Sequence, residues 1–181
     1  MRMINIAFIF LVSGIAHAQI KHFTPVDFSV FDSLTRKSVS IGDTKDTLLK
    51  NLGQPSSIET KPKYNLVNYY YEYALFSINT KTGKIHGIEL SSPQFIEGYN
   101  TKTRIKKEIR FETFHGFFIG QSHSVLANTF GRYKKDKSIA FSDLPTAFNL
   151  DIIKPFTLSF SVEFNDLEQA LVIRIYEGNP K

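Results

Sequence analysis

The chain has 181 residues, with no cysteine, no tryptophan, 17 phenylalanines, 8 tyrosines and a formal net charge of +5. Without cysteine there is no disulfide framework, no thiolate nucleophile, no cysteine-ligated zinc and no iron–sulfur cluster. At 42% hydrophobic and 22% charged residues, the composition is that of one folded domain or two small ones.

Residues 1–18 read as a secretory signal peptide. Arg2 is the positive start, Ile4 to Val12 is almost wholly apolar, and Ala16, His17 and Ala18 form an A-x-A cleavage site before Gln19. The apolar run is shorter than the roughly 20 residues a spanning helix needs. No later stretch is apolar for long enough either, and no cysteine follows that could carry lipid. The expected product is periplasmic or secreted, with no transmembrane span and no lipid anchor.

An internal repeat organises the remainder. Thr35 to Pro55 aligns without gaps on Thr113 to Tyr133. Identical pairs are Thr35/Thr113, Ile41/Ile119, Gly42/Gly120, Leu48/Leu126 and Gly53/Gly131. Thr44 and Ser122 stand where an N-cap hydroxyl accepts a bond from an orphan backbone N–H. Leu48, Leu49 and Leu52 then share one helical face, as do Val125, Leu126 and Phe130. Gly53 and Gly131 stand where each helix closes in the left-handed conformation, and Pro55 follows the first. The spacing predicts helices of about two turns, which packing must hold. It sets a first repeat over 19–90, a connection over 91–101 and a second repeat over 102–181.

Strand patterns follow each helix. In the first repeat they cover Ser57 to Thr60, Leu66 to Tyr71, Leu75 to Asn79 and Ile85 to Leu90, with a hairpin loop at Asn79 to Gly83. In the second, Phe156, Leu158, Phe160, Val162 and Phe164 alternate with polar residues, and Ala170 to Tyr176 is the last strand. Pro145 and Pro155 argue against regular strand over Phe141 to Pro155. Before the second helix, Lys102, Arg104, Lys106, Glu108, Arg110 and Glu112 share the charged side of a strand. That side is either a solvated, aggregation-resistant edge or a partner-facing basic stripe carried by Arg104, Lys106 and Arg110. The expected fold class is α+β: two tandem helix-plus-antiparallel-sheet repeats with the helices on one sheet face.

The element Ile41-Gly42-Asp43-Thr44, Leu48, Leu52-Gly53-Gln54-Pro55, with Tyr69-Tyr70-Tyr71-Glu72 behind it, resembles the SmpA/OmlA small envelope-protein domain. It also resembles the β-lactamase-inhibitor-protein fold. The second copy carries the same features as Thr113, Gly116, Ile119-Gly120-Gln121-Ser122, Leu126 and Phe130-Gly131. The resemblance implies tandem helix-plus-sheet units and an inhibitor, immunity-type or envelope-assembly role. The chain departs from these families in lacking the anchoring cysteine of the first and the disulfides of the second.

Catalytic signatures are missing. There is no G-x-S-x-G elbow, no H-E-x-x-H, no P-loop and no G-x-G-x-x-G. The histidines His22, His86, His115 and His123 show no metal-ligand spacing, so no metal and no cofactor is expected. The mild charge, interleaved with acids, speaks against nucleic acid. Five of the eight tyrosines fall between Tyr64 and Tyr73. Tyr69 and Tyr71 suit a core; Tyr70, sharing its strand side with Asn68 and Glu72, suits a binding surface. The expected function is a non-enzymatic, exported protein-binding module acting through an open sheet face, with another envelope or extracellular protein as partner. A lipid or small-ligand carrier and a hydrolase with dispersed carboxylates are the alternatives.

Overall fold

The computed structural model describes residues 25–93, 104, 108–113, 116–131, 139–153 and 157–178. The segment assigned to the signal peptide lies outside them, as do Lys106, His115 and most of the 91–101 connection. A 3-10 turn at Pro25–Phe28 leads into β1 (Val30–Asp32) and β2 (Lys37–Val39). Helix α1 (Lys45–Leu52) follows, then β3 (Ser57–Lys61), β4 (Leu66–Tyr71), β5 (Ala74–Asn79) and β6 (Lys84–Ser91). Strands β7 (Glu108–Thr113) and β8 (Phe118–Ile119) precede α2 (His123–Phe130). Strands β9 (Ile139–Leu144), β10 (Ala147–Ile152), β11 (Leu158–Phe164) and β12 (Ala170–Glu177) complete the described chain.

The expected α+β architecture of two tandem helix-plus-sheet repeats is overturned. The described residues are mostly antiparallel sheet, and each of the two α-helices among them has only 8 residues. The strands are not divided into one sheet per repeat. They form a four-stranded sheet, β2-β1-β7-β8, and an eight-stranded sheet, β3-β4-β5-β6-β12-β11-β10-β9. Two long-range pairings cause this. Strand β6 pairs with β12 from Gly87↔Tyr176 to Ser91↔Val172, fusing eight strands into one sheet. Strand β1 pairs with β7, Val30 opposite Thr113, which ties the start of the chain to its middle.

Alternation decides which side of the large sheet is core. Along β11, Leu158, Phe160, Val162 and Phe164 are buried while the residues between them are half-exposed. Over that apolar side lies a mixed layer of helices and the smaller sheet. Leu126 and Phe130 of α2 are buried, and the Phe130 ring lies 5.7 Å from Phe148 and 5.5 Å from Phe160. Phe111 of β7 meets Phe76 of β5 at 6.4 Å, which joins the two sheets through one aromatic contact. Each such fully buried apolar side chain contributes about 1.5–3 kcal/mol relative to exposure.

The repeated motif keeps a common local start. Gly42 and Gly120 both have positive φ, 90° and 86°. Their N–H groups donate to Ile85 O at 2.8 Å and to Ala170 O at 2.9 Å, so each helix is hung from a strand of the large sheet. Asp46 in the first turn of α1 and Lys50 in its last complement the helix dipole.

The ends of the motif diverge. Thr44 caps α1, its Oγ1 accepting from Thr47 N at 3.2 Å. Ser122 has N-cap backbone angles, but its hydroxyl pairs with Ser124 Oγ at 3.0 Å and makes no cap bond. Gly53 has φ 81° and donates its N–H to Leu49 O. Gly131 has φ −56° and ψ −28°, right-handed rather than the expected left-handed closure. Val125 is 40% exposed and leaves the buried face to Leu126 and Phe130. Pro145 does not prevent strand: it occupies the turn between β9 and β10, where Leu144 pairs with Ala147.

Gly53→Val is therefore expected to cost about 1 kcal/mol or more, because positive φ excludes a β-branched residue. Gly131→Val is expected to stay within about 0.5 kcal/mol of the parent chain, since a right-handed backbone accepts valine at least as well as glycine. Urea denaturation of both variants measures the difference, and equal losses would contradict the two closures described.

Candidate functional site

The side of the eight-stranded sheet opposite the core is the candidate site. Pairing carries one row of side chains across it, from Tyr70 through Leu75, Glu89 and Arg174 to Ser161 and Asn149. Each is half-buried. Period-two alternation puts this row opposite the apolar one, so the same strands that build the core present the site.

Strand β4 positions the tyrosines. Tyr69 and Tyr71 are 5% and 6% exposed and belong to the core. Tyr71 Oη donates to Gly53 O at 2.9 Å, and its ring meets Phe76 edge-on at 5.5 Å. The turn after α1 is thereby fixed to β4. Burial pushes the Tyr71 phenol up to about 12; the neighbouring Tyr69 adds to this and Arg110 opposes it. Tyr70 points the other way and donates Oη to Glu59 Oε2 at 2.8 Å. Lys61 also bonds Glu59, and the bonds from Lys61 and Tyr70 hold that carboxyl below the ordinary carboxylate range. Asn68 lies in the same orientation as Tyr70 but is 9% exposed, covered in the sheet, and accepts from Ser77 Oγ at 2.8 Å.

Glu72, at the β4–β5 turn, is exposed, with Oε2 3.5 Å from Arg110 Nη1. Arg110 Nε lies 3.4 Å from Oδ1 of the fully buried Asp32, and the guanidinium covers the Phe111 ring at 4.7 Å. Asp32 also accepts from Leu34 N and Thr35 Oγ1. Arg110 is thus committed to two carboxylates. Arg104 is exposed outside any strand, and Lys106 lies outside the described residues. Among the described residues the structure joins Tyr70, Glu72 and Arg110 in one region and assembles no basic stripe. The motif residues Gly42, Thr44, Gly53, Gly120, Ser122 and Gly131 support the framework instead of facing this site.

The centre of the face was not foreseen. Arg174 Nε donates to Glu89 Oε2 at 2.9 Å, and Nη1 bonds Glu163 Oε1. Ser91 Oγ donates to the other Glu89 oxygen at 3.0 Å. Alternation along β11 puts Glu163 on the polar side, but nothing in the sequence pairs β6 with β12, which is what brings the three charges together. On either side of Leu75 and Glu89 lies a cavity of about 180 Å³. The first is lined by Tyr70, Glu72, Tyr73, Leu75, Glu89 and Ser91, among others. Ser77, Gly87 and Tyr176 contribute to the second.

Away from this face, His123 Nε2 lies 2.8 Å from Asp143 Oδ1, with the ring edge-on to Phe164 at 4.9 Å. This pair ties the start of α2 to β9. Ser122 Oγ, the adjacent hydroxyl, is bonded to Ser124. Among the described residues no group of three or more His, Cys, Asp or Glu is placed to hold a metal ion.

No family model matches the chain, and no curated protein matches its sequence. Among solved structures, a cysteine-rich secretory protein from Staphylococcus aureus aligns over 75% of this chain and 42% of its own, at 12% identity and a TM-score of 0.40. The chain thus spans less than half of that protein, and nothing about fold or function follows from a likeness of this size.

The Tyr71 phenol yields a pH prediction. Unfolded tyrosine titrates near 10, so between about pH 10 and 12 the folded chain keeps a proton that the unfolded chain gives up. The contribution of Tyr71 to stability is complete below pH 10 and is lost as pH rises toward 12. Near-ultraviolet phenolate absorbance is expected to show a late-titrating tyrosine that disappears in Tyr71→Phe. Unchanged titration in that variant would contradict the assignment.

Proposed function

We propose that the protein is an exported, non-enzymatic module that binds another protein through the open face of its eight-stranded sheet. The observation that carries this reading is the row from Tyr70 to Asn149, in which an aromatic ring, an aliphatic side chain, an ion pair, a hydroxyl and an amide stand on one rigid sheet. Half-buried tyrosine and arginine on a fixed scaffold are the usual material of binding hot spots, because little side-chain freedom remains to be lost. The amino-terminal leader pattern supports export. The sequence resemblance to envelope-protein and inhibitor families supports an inhibitor, immunity-type or envelope-assembly role.

The rival readings fit less well. The cavity of about 180 Å³ beside the β4–β5 turn is below the ~300–1,000 Å³ of a typical small-ligand site, which disfavours it as a lipid site. Of the carboxylates at the face, Glu89 and Glu163 are both bonded to Arg174, Glu59 is paired with Lys61, and Glu72 meets Arg110. That commitment disfavours an acid–base pair acting on a glycosidic bond.

The test is capture of partners from envelope extract on the immobilised mature chain. Tyr70→Ala combined with Glu72→Ala is expected to weaken capture about 10-fold or more, as loss of a hot-spot residue does. Gly87→Tyr, whose added Cβ would meet nothing closer than Ser77 Cβ at 3.7 Å, is expected to fold and to obstruct the same face. Equal recovery by all three chains would contradict the proposal.

A further inference from the structure

We infer that the cavity beside the β4–β5 turn seats a cationic side chain, lysine or arginine, presented by the protein partner. This rests on the binding reading above and specifies the chemistry of the partner. The cavity wall is mostly apolar, with Tyr70, Tyr73 and Leu75 among its lining, and two acidic residues, Glu72 and Glu89, line it as well. A lysine or arginine has the matching form: an apolar stem that packs on rings and a charged head that stays among polar groups. Tyrosine rings attract a cation through their electron-rich faces.

The charged groups around the cavity favour the same occupant. Arg110 is shared by Asp32 and Glu72. Arg174 is shared by Glu89 and Glu163. Lys61 pairs with Glu59. Leaving aside Asp32 and Arg110, which belong to the smaller sheet, three acids (Glu59, Glu89 and Glu163) meet two bases (Lys61 and Arg174) and Glu72 stands at the turn beside them, on a chain whose formal charge is +5. The two acidic residues of the lining also differ in how firmly they are held. Glu89 is fixed from both oxygens, by Arg174 and Ser91. Glu72 is 60% exposed along its side chain and meets Arg110 at 3.5 Å, the long end of an ion pair. It can therefore turn to an incoming cation at little cost, while Glu89 gives the cavity a rigid wall. An anionic occupant would face both carboxylates, and an aliphatic one would desolvate Glu72 without compensation.

The experiment titrates the isotope-labelled mature chain with three short peptides that differ only in a central lysine, norleucine or glutamate. Backbone amide shifts of Leu75, Glu89 and Ser91 report occupancy. The lysine peptide is expected to bind about 3–10-fold more tightly than the norleucine peptide, the range of one partly exposed cation–π and ion-pair contact. Glu72→Gln, at an exposed position that leaves the fold intact, is expected to erase that preference. Equal binding of lysine and norleucine peptides would overturn the inference and leave an apolar subsite. Preference for glutamate would overturn it by sign. No shift at these amides with any peptide would overturn it outright, while the Tyr70 capture experiment judges the binding reading separately.

Discussion

The pairing of β6 with β12 is the contact on which the architecture depends. It sets Ile88 opposite Ile175 and Leu90 opposite Ile173 on one side, and Glu89 opposite Arg174 on the other. A single register thus closes the middle of the core and assembles the middle of the site. A slip by one residue would send the isoleucines to solvent and the ion pair into the core. The partners are 85 positions apart at Glu89 and Arg174, so this contact forms only after a long loop is closed. Such non-local pairing makes folding slow compared with a helical chain of equal size.

Legibility in the sequence followed the range of the interaction. The motif starts were readable in part, because their features act within a few positions: a glycine of positive φ stands at both, and Thr44 caps α1, while Ser122 makes no cap bond to α2. The alternating strand at Leu158–Phe164 was readable for the same reason. The motif ends were less so. Gly53 and Gly131 look alike in a one-dimensional pattern, yet only the first is needed for its φ. Ser122 has the right residue type and backbone, but Ser124 competes for its hydroxyl. Pro145 was read as a barrier to strand because a proline removes a ladder donor; at the tip of a hairpin that donor is not needed. The architecture departs from the expected tandem repeats because the order of helix-plus-strand units does not fix which strand edges meet. Edge strands seek partners wherever backbone groups are open, and here β1 found β7 and β6 found β12.

The site was legible to the same degree. Alternation in β4 correctly separates inward Tyr69 and Tyr71 from outward Tyr70. It gives no measure of depth within a sheet, so Asn68, on the outward side, is covered by its neighbours. Arg110 has the outward position expected of a partner-facing cation, but Asp32 folds back from the first hairpin and claims it. Leu75, Glu89 and Arg174 carried no local signal. Their importance arises from adjacency across three strands, two of which lie in distant parts of the chain.

The distribution of charge links these points to function. A chain with excess lysine and arginine would be expected to present a positive surface everywhere. Instead its two best-buried described arginines in ion pairs, each about one-fifth exposed along the side chain, are surrounded by more acid than they neutralise. A half-buried guanidinium with only one carboxylate would leave several of its five donors unsatisfied. Sharing it between two carboxylates satisfies more of those donors and leaves each group with one negative charge in excess. On the open face, the group Glu89–Arg174–Glu163 thus carries a charge opposite in sign to that of the whole chain. Lys63, Lys81 and Lys84 stand exposed at turns and strand ends, away from the Glu89–Arg174–Glu163 group at the centre of the face.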